Sequence, residues 1–139
     1  MEIVGHGLDI VELSRIDHLE KEHGGDFLLG WFTEHEISHA PPVNRGAYFA
    51  GQIAAKEAIV KAIGTGLVGE MAWTEIEVNR AQSGGPLVVL TGSVLEMAIA
   101  HGVESCLLTI SHGGNMAIAS ALALGRHRGP RGRSLPDGH

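Results

Sequence analysis

The sequence predicts a single α+β domain, and three observations predict it. At 139 residues the chain is long enough for one hydrophobic core and short for two. Its strand-like runs do not alternate with helices in regular βαβ fashion. Two pairs of apolar runs are each joined by a glycine-bearing turn, the signature of antiparallel hairpins.

The elements follow in order. Ile3 to Ile10 alternates loosely and predicts a first strand, with Ile3, Gly5, Gly7 and Asp9 on one side and Val4, His6, Leu8 and Ile10 on the other. Leu13, Ile16 and Leu19 have helical spacing, and the run from His23 to Asp26 breaks that helix. Phe27 to Trp31 is apolar without an assigned state, and Thr33 with Glu36 has the spacing of a capping box at a helix start. Pro41-Pro42 interrupts. The strongest helix is predicted from Gly46 to Ile63, with Phe49, Ile53, Val60 and Ile63 as one apolar stripe, Lys56 inside it and Glu57 at its margin. Gly64-Thr65-Gly66 is its stop. Trp73–Val78 and Leu87–Leu90 flank a turn over residues 82–86, Gly92 to His101 suits a short helix, and strands at Ser105–Ser111 and Met116–Leu124 form a second hairpin. The expected order is β-α-α-α-β-β-α-β-β.

Charge is unevenly placed. Residues 1–124 hold six Lys and Arg against fifteen Asp and Glu, a net of −9, while Arg126, Arg128, Arg131 and Arg133 crowd the last fifteen residues. An acidic body argues against nucleic acid as a partner, because phosphate contacts need a positive footprint. The expected organisation is a domain over residues 1–124 and an Arg/Gly-rich, flexible tail over 125–139. The opening residues carry no basic or long apolar segment, and no run approaches the roughly 18 apolar residues of a membrane span. A soluble, cytoplasmic protein without a membrane partner is expected. Cys106, the lone cysteine, lies in an apolar run and reads as a buried, inert thiol.

Few residues invite chemistry. Asp9 ends an apolar strand, where a carboxylate needs a cation or hydrogen bonds; a helix cap is the plainer reading. Glu57 borders the apolar stripe, and an ion pair with Lys61, four residues on, is its plainer reading. Two carboxylates meeting at one point would suit Mg²⁺, which prefers oxygen ligands and often sits beside substrate phosphates. Lys56 within an apolar stripe must snorkel or find an anion. Gly64-Thr65-Gly66 lacks P-loop spacing, and His112 at a strand-end turn is a base or a phosphate donor only in the right company. Glu36 in its capping box reads as structural. No serine-centred nucleophile elbow or dinucleotide fingerprint is present.

Taken together, the segments Gly5–Ile16, Phe32-Thr33 with Glu36, Phe49–Ala58, Lys61–Gly66, Trp73–Val78, Gly85-Pro86 and Thr109–His112 resemble holo-[acyl-carrier-protein] synthase, the short bacterial type of 4'-phosphopantetheinyl transferase. They run in the family's order over residues 3 to about 124. The resemblance implies a homotrimer with clefts between subunits, and transfer of the 4'-phosphopantetheine group from coenzyme A to a serine of apo acyl carrier protein, giving adenosine 3',5'-bisphosphate. It also implies fatty acid biosynthesis as the simplest setting. Asp9 and Glu57 then look like the Mg²⁺ ligands and, with Lys61, the catalytic set. Lys56, Lys61, Gly64, Thr65, Gly66, Ser111 and His112 are expected around the cofactor, and Arg15 is expected to face the carrier protein. The proton acceptor is open between Glu57 and a water on the ion. Gln52 stands where the family usually has Arg, and Glu75 where it usually has Asp. Gln52 and the acidic body are the features that would favour the alternative, a non-catalytic relative binding nucleotide or carrier protein as an assembly component.

Overall fold

The computed structural model describes residues 1–64 and 66–127; the expectations placed on Thr65 and on residues 128–139 lie outside them. Strands β1 (Glu2–Glu12), β4 (Val103–Gly113) and β5 (Met116–Gly125) form an antiparallel sheet in the order β1-β5-β4. A separate ribbon pairs β2 (Ile76–Arg80) with β3 (Pro86–Leu90). Helix α4 (Arg45–Ile63) crosses the inner face of the three-stranded sheet.

Small residues set that crossing. Ala117, Ala119, Ala121 and Ala123 of β5 are fully buried, as are Ala54, Ala55 and Ala58 of α4. On β1 the contact is tighter still. A Cβ at Gly5 would stand 1.7 Å from the carbonyl oxygen of Ala62, and one at Gly7 would stand 1.9 Å from that of Ala58. Only glycine permits this approach. The rest of the fold closes over the outer side of α4. Helices α1 (Leu13–His23), α2 (Asp26–Trp31) and α3 (Glu34–Ser38) and the β2–β3 ribbon bring Ile16, Phe27, Phe32 and Ile76 against Phe49, Ile53 and Ile59. Helix α5 (Gly92–Ala100) adds Val94 and Ala98 to the same core.

Three local expectations change. Residues 26–31 form a helical turn and a half rather than an unassigned run. Trp73–Glu75 is a 3-10 turn instead of the first half of a strand. Glu75 holds it, accepting from the amides of Ala72 at 3.0 Å and Ser93 at 2.8 Å. Helix α4 buries 13 of its 19 residues, so the single apolar stripe was too narrow: a helix covered on all sides is apolar all round. The body also runs past residue 124. Gly125 belongs to β5, and the Arg126 amide donates to Gly102 O at 2.9 Å. Among the described residues no helix is long and apolar enough to cross a membrane. Burial raises the thiol pKa of the half-buried Cys106.

Lys56 is the largest departure from the sequence reading. It is fully buried, neither snorkelling nor facing a cleft. Its ammonium lies 2.7 Å from Glu36 Oε1 and donates to the carbonyls of Trp31 at 2.7 Å, Ile76 at 2.5 Å and Trp73 at 3.2 Å. The expected phosphate contact is therefore withdrawn, because every proton on Nζ is already engaged. Burial pulls the Lys56 ammonium below the ordinary lysine range, and the neighbouring Glu36 charge opposes that pull. Glu36 is also 1% exposed; it completes the capping box with Thr33 and accepts from the Val78 amide at 2.9 Å. Removing one member of such a pair strands the other charge. Lys56→Met is expected to lower unfolding free energy by about 3–5 kcal/mol in urea titrations; a loss below ~1 kcal/mol would refute this account of the pair.

Candidate active site

The glycines of β1 bring the strand against α4, and the next inward residue, Asp9, arrives beside the fourth and fifth turns of that helix. There Lys61 Nζ lies 2.9 Å from Asp9 Oδ1 and 3.0 Å from Leu8 O. Glu57, one turn earlier, projects to the same place, and its carboxylate interacts directly with that of Asp9. Arg15 of α1 reaches over both, with Nη2 3.0 Å from Glu57 Oε1 and Nη1 3.4 Å from Oε2. Two carboxylates and two cations thus form one cluster drawn from β1, α1 and α4.

Their electrostatics divide the two acids. Burial raises the Asp9 carboxyl, but the adjacent Glu57 side chain, the Lys61 hydrogen bond and the charges of Lys61 and Arg15 outweigh that, leaving it below the ordinary range. Glu57 moves the other way. Burial and the Asp9 carboxyl beside it push its carboxyl up, and Arg15 only partly offsets them. Two carboxylates this close share their titration, and the opposite directions are the mark of that sharing. Asp9 Oδ2 is buried and receives no hydrogen bond. Paired carboxylates with an oxygen left over suit a hard divalent cation that keeps other positions for water or phosphate. The donor set fits Mg²⁺.

Beside the cluster opens a cleft of about 620 Å³, lined by Glu57, Val60, Lys61, Gly64, Gly66, Leu67 and Trp73. Its volume is that of a small-molecule site. Gly64 caps α4 with φ 97° and spends its amide on the carbonyls of Val60 and Lys61, so it contributes shape rather than a free N–H. Trp73 stacks on Trp31 with ring centroids 4.3 Å apart and 15° between planes, and Arg15 lies 5.7 Å from the Trp31 ring centroid. Neither tryptophan was singled out from the sequence for this wall. Two tryptophans in a chain with so few aromatic residues were the available signal.

Other expected residues lie elsewhere. Ser111 and His112 sit on β4, the sheet edge opposite β1. The His112 ring contacts Ala47 O at 2.9 Å and packs over Gly51. Asp9 pairs with Ala119, which pairs with Ile110, so β4 stands two strands away, roughly 9–10 Å across the sheet. One subunit does not gather His112 with Asp9 and Glu57. Gln52 is buried on α4 with an unpartnered Oε1 and does not line the cleft.

Comparison with known proteins agrees with this geometry. Residues 5–119 match the family model of the 4'-phosphopantetheinyl transferase superfamily. The holo-[acyl-carrier-protein] synthase of Desulforudis audaxviator is 40% identical over 127 residues, covering 88% of this chain and 94% of the relative. That of Geotalea daltonii is 38% identical over 118 residues, covering 84% and 94%. Among solved structures, the Neisseria meningitidis holo-[acyl-carrier-protein] synthase superposes with a TM-score of 0.80 at 30% identity, over 88% of this chain and 99% of that one. The Helicobacter pylori enzyme in complex with coenzyme A gives 0.74 at 27% identity, over 86% and 99%. By sequence and by fold, this chain belongs to the 4'-phosphopantetheinyl transferase superfamily and, within it, to the holo-[acyl-carrier-protein] synthases.

Proposed function

We propose that this chain moves the 4'-phosphopantetheine group of coenzyme A onto a serine hydroxyl of apo acyl carrier protein, with Asp9 and Glu57 holding Mg²⁺. The observation that carries the reading is the meeting of those two carboxylates, from β1 and α4, beside a cleft that Lys61 also lines. The serine hydroxyl gives its proton to a base at the site, Glu57 or water, and its oxygen bonds to the phosphorus bearing pantetheine as the bond to the adenylate phosphate breaks and adenosine 3',5'-bisphosphate leaves. The bound cation would supply charge neutralisation on the pyrophosphate.

The chain's own groups do the remainder. Lys61, more than half exposed, turns its ammonium from Asp9 to the pyrophosphate and stabilises the departing phosphate. Gly64, Gly66 and Trp73 shape the wall along which the cofactor lies. Arg15, on the exposed rim at α1, is placed to meet the carrier protein. The nucleophile belongs to the substrate, in keeping with a site built of carboxylates and cations. As a direct test, intact-mass analysis of apo carrier protein incubated with the chain, coenzyme A and Mg²⁺ should gain one phosphopantetheine. Asp9→Ala and Glu57→Ala should each cut the rate at least about 100-fold, the scale of losing a group that stabilises transition-state charge. Full activity in either variant would refute the metal-holding role.

The reading extends to a homotrimer. Leu8, Ile10, Leu107 and Ile118 remain exposed on the sheet face turned away from α4, with Ile10 directly across from Ile118. An uncovered apolar sheet face is the kind of surface that subunits bury. A neighbour seated there would bring a second copy's Ser111 and His112 to the cleft that its own β4 edge leaves incomplete. Ile118→Glu is expected to reduce the mass by light scattering from three chains to one and to abolish transfer. An active monomer would contradict the shared site.

A further inference from the structure

Resting on the metal-holding reading of Asp9 and Glu57, we propose that Arg15 is an in-chain competitor for the divalent cation, occupying Glu57 until metal displaces it. The two carboxylates are not equally available. Lys61 engages only Oδ1 of Asp9, and Oδ2 accepts no hydrogen bond. On Glu57 both oxygens are claimed by one guanidinium, closely at Oε1 (3.0 Å) and more loosely at Oε2 (3.4 Å). Asp9 therefore keeps one oxygen that no donor holds, whereas Glu57 has none to offer a cation until the fork opens.

The surroundings allow that opening. The Arg15 side chain is 41% exposed, on a helix at the edge of the fold, so it can withdraw without disturbing the core. While it forks Glu57 its carbon already lies 5.7 Å from the Trp31 ring centroid, and that ring face, which attracts a cation by its quadrupole, remains beside it when the fork opens. The charges give the exchange its direction. Asp9 and Glu57 against Lys61 and Arg15 sum to zero, so the metal-free site neutralises itself and attracts a free dication weakly. Once the dication takes the carboxylates, Arg15 is released from Glu57 and, with Lys61, presents positive charge beside the cleft to a phosphate-bearing ligand.

An Arg that merely oriented Glu57 would strengthen metal binding, whereas a competitor weakens it, so the sign of one variant decides. Mn²⁺ binding to the full chain, followed by the electron paramagnetic resonance signal of the free ion without coenzyme A, supplies a readout independent of turnover. Arg15→Gln is expected to bind Mn²⁺ about tenfold more tightly than the parent, a coupling of ordinary size. Arg15→Lys, which keeps the charge and loses the fork, should fall between them. Asp9→Asn should erase the binding in each background. Equal or weaker binding by Arg15→Gln, with the Asp9-dependent site still present, would overturn the competition and leave the metal site standing. Absence of any Asp9-dependent site in parent and variants would overturn both.

Discussion

Everything at the site depends on how closely α4 can approach β1. The backbone of Ala58 and Ala62 lies where a side chain on Gly7 or Gly5 would have to be. Larger residues at either position would lift the helix from the strand by an ångström or more, and overpacking of this kind costs about 1–3 kcal/mol in stability. The functional cost is larger, because Asp9 stands two residues after Gly7 on the same face of β1. With the helix seated, Asp9 meets Lys61 and Glu57; with it lifted, the carboxylates part. Packing and chemistry are here one constraint.

The second anchor is the Lys56–Glu36 pair. It ties the ends of α2 and α3 to α4, the Trp73–Glu75 turn and β2 through one ammonium and one carboxylate. A buried ion pair is a poor source of net stability, and its consequence here is positional. Lys56 holds the carbonyls of Trp31 and Trp73, the two residues whose stacked rings connect Arg15 with the cleft. The pair therefore supports a functional wall from beneath, although neither of its members touches the cleft.

Much of this was legible in the sequence, for identifiable reasons. Glycines at alternate positions before Asp9, an alanine-rich helix and turn residues between apolar runs are local signals, and they placed β1, α4, both hairpins and the capping box of Thr33 and Glu36. The family resemblance then singled out Asp9, Glu57 and Lys61 from many charged residues. What escaped was set by distant contacts. A lysine in an apolar stripe reads alike whether its ammonium finds a ligand outside or a carboxylate and three carbonyls inside, and only the fold brings Glu36 twenty residues back to it. Arg15 reads as a surface cation because Glu57 lies 42 residues away. Residues 73–75 look like strand because their turn is pinned by the Glu75 carboxylate, which reaches the Ala72 amide and, eighteen residues on, that of Ser93.

The account thus joins a helix seated on glycine, a wall hung from a buried ion pair and a neutral quartet of charges open to a cleft. Its central claim is that Asp9 and Glu57 share one divalent cation. Anomalous diffraction from crystals grown with coenzyme A and Mn²⁺ addresses this most directly. The account predicts a single strong peak between the two carboxylates, with oxygens of both at about 2.0–2.3 Å, the range of small hard divalent cations, and with Arg15 withdrawn from Glu57. A peak bound by other residues, or Mn²⁺ held by the cofactor with Glu57 still forked by Arg15, would contradict it.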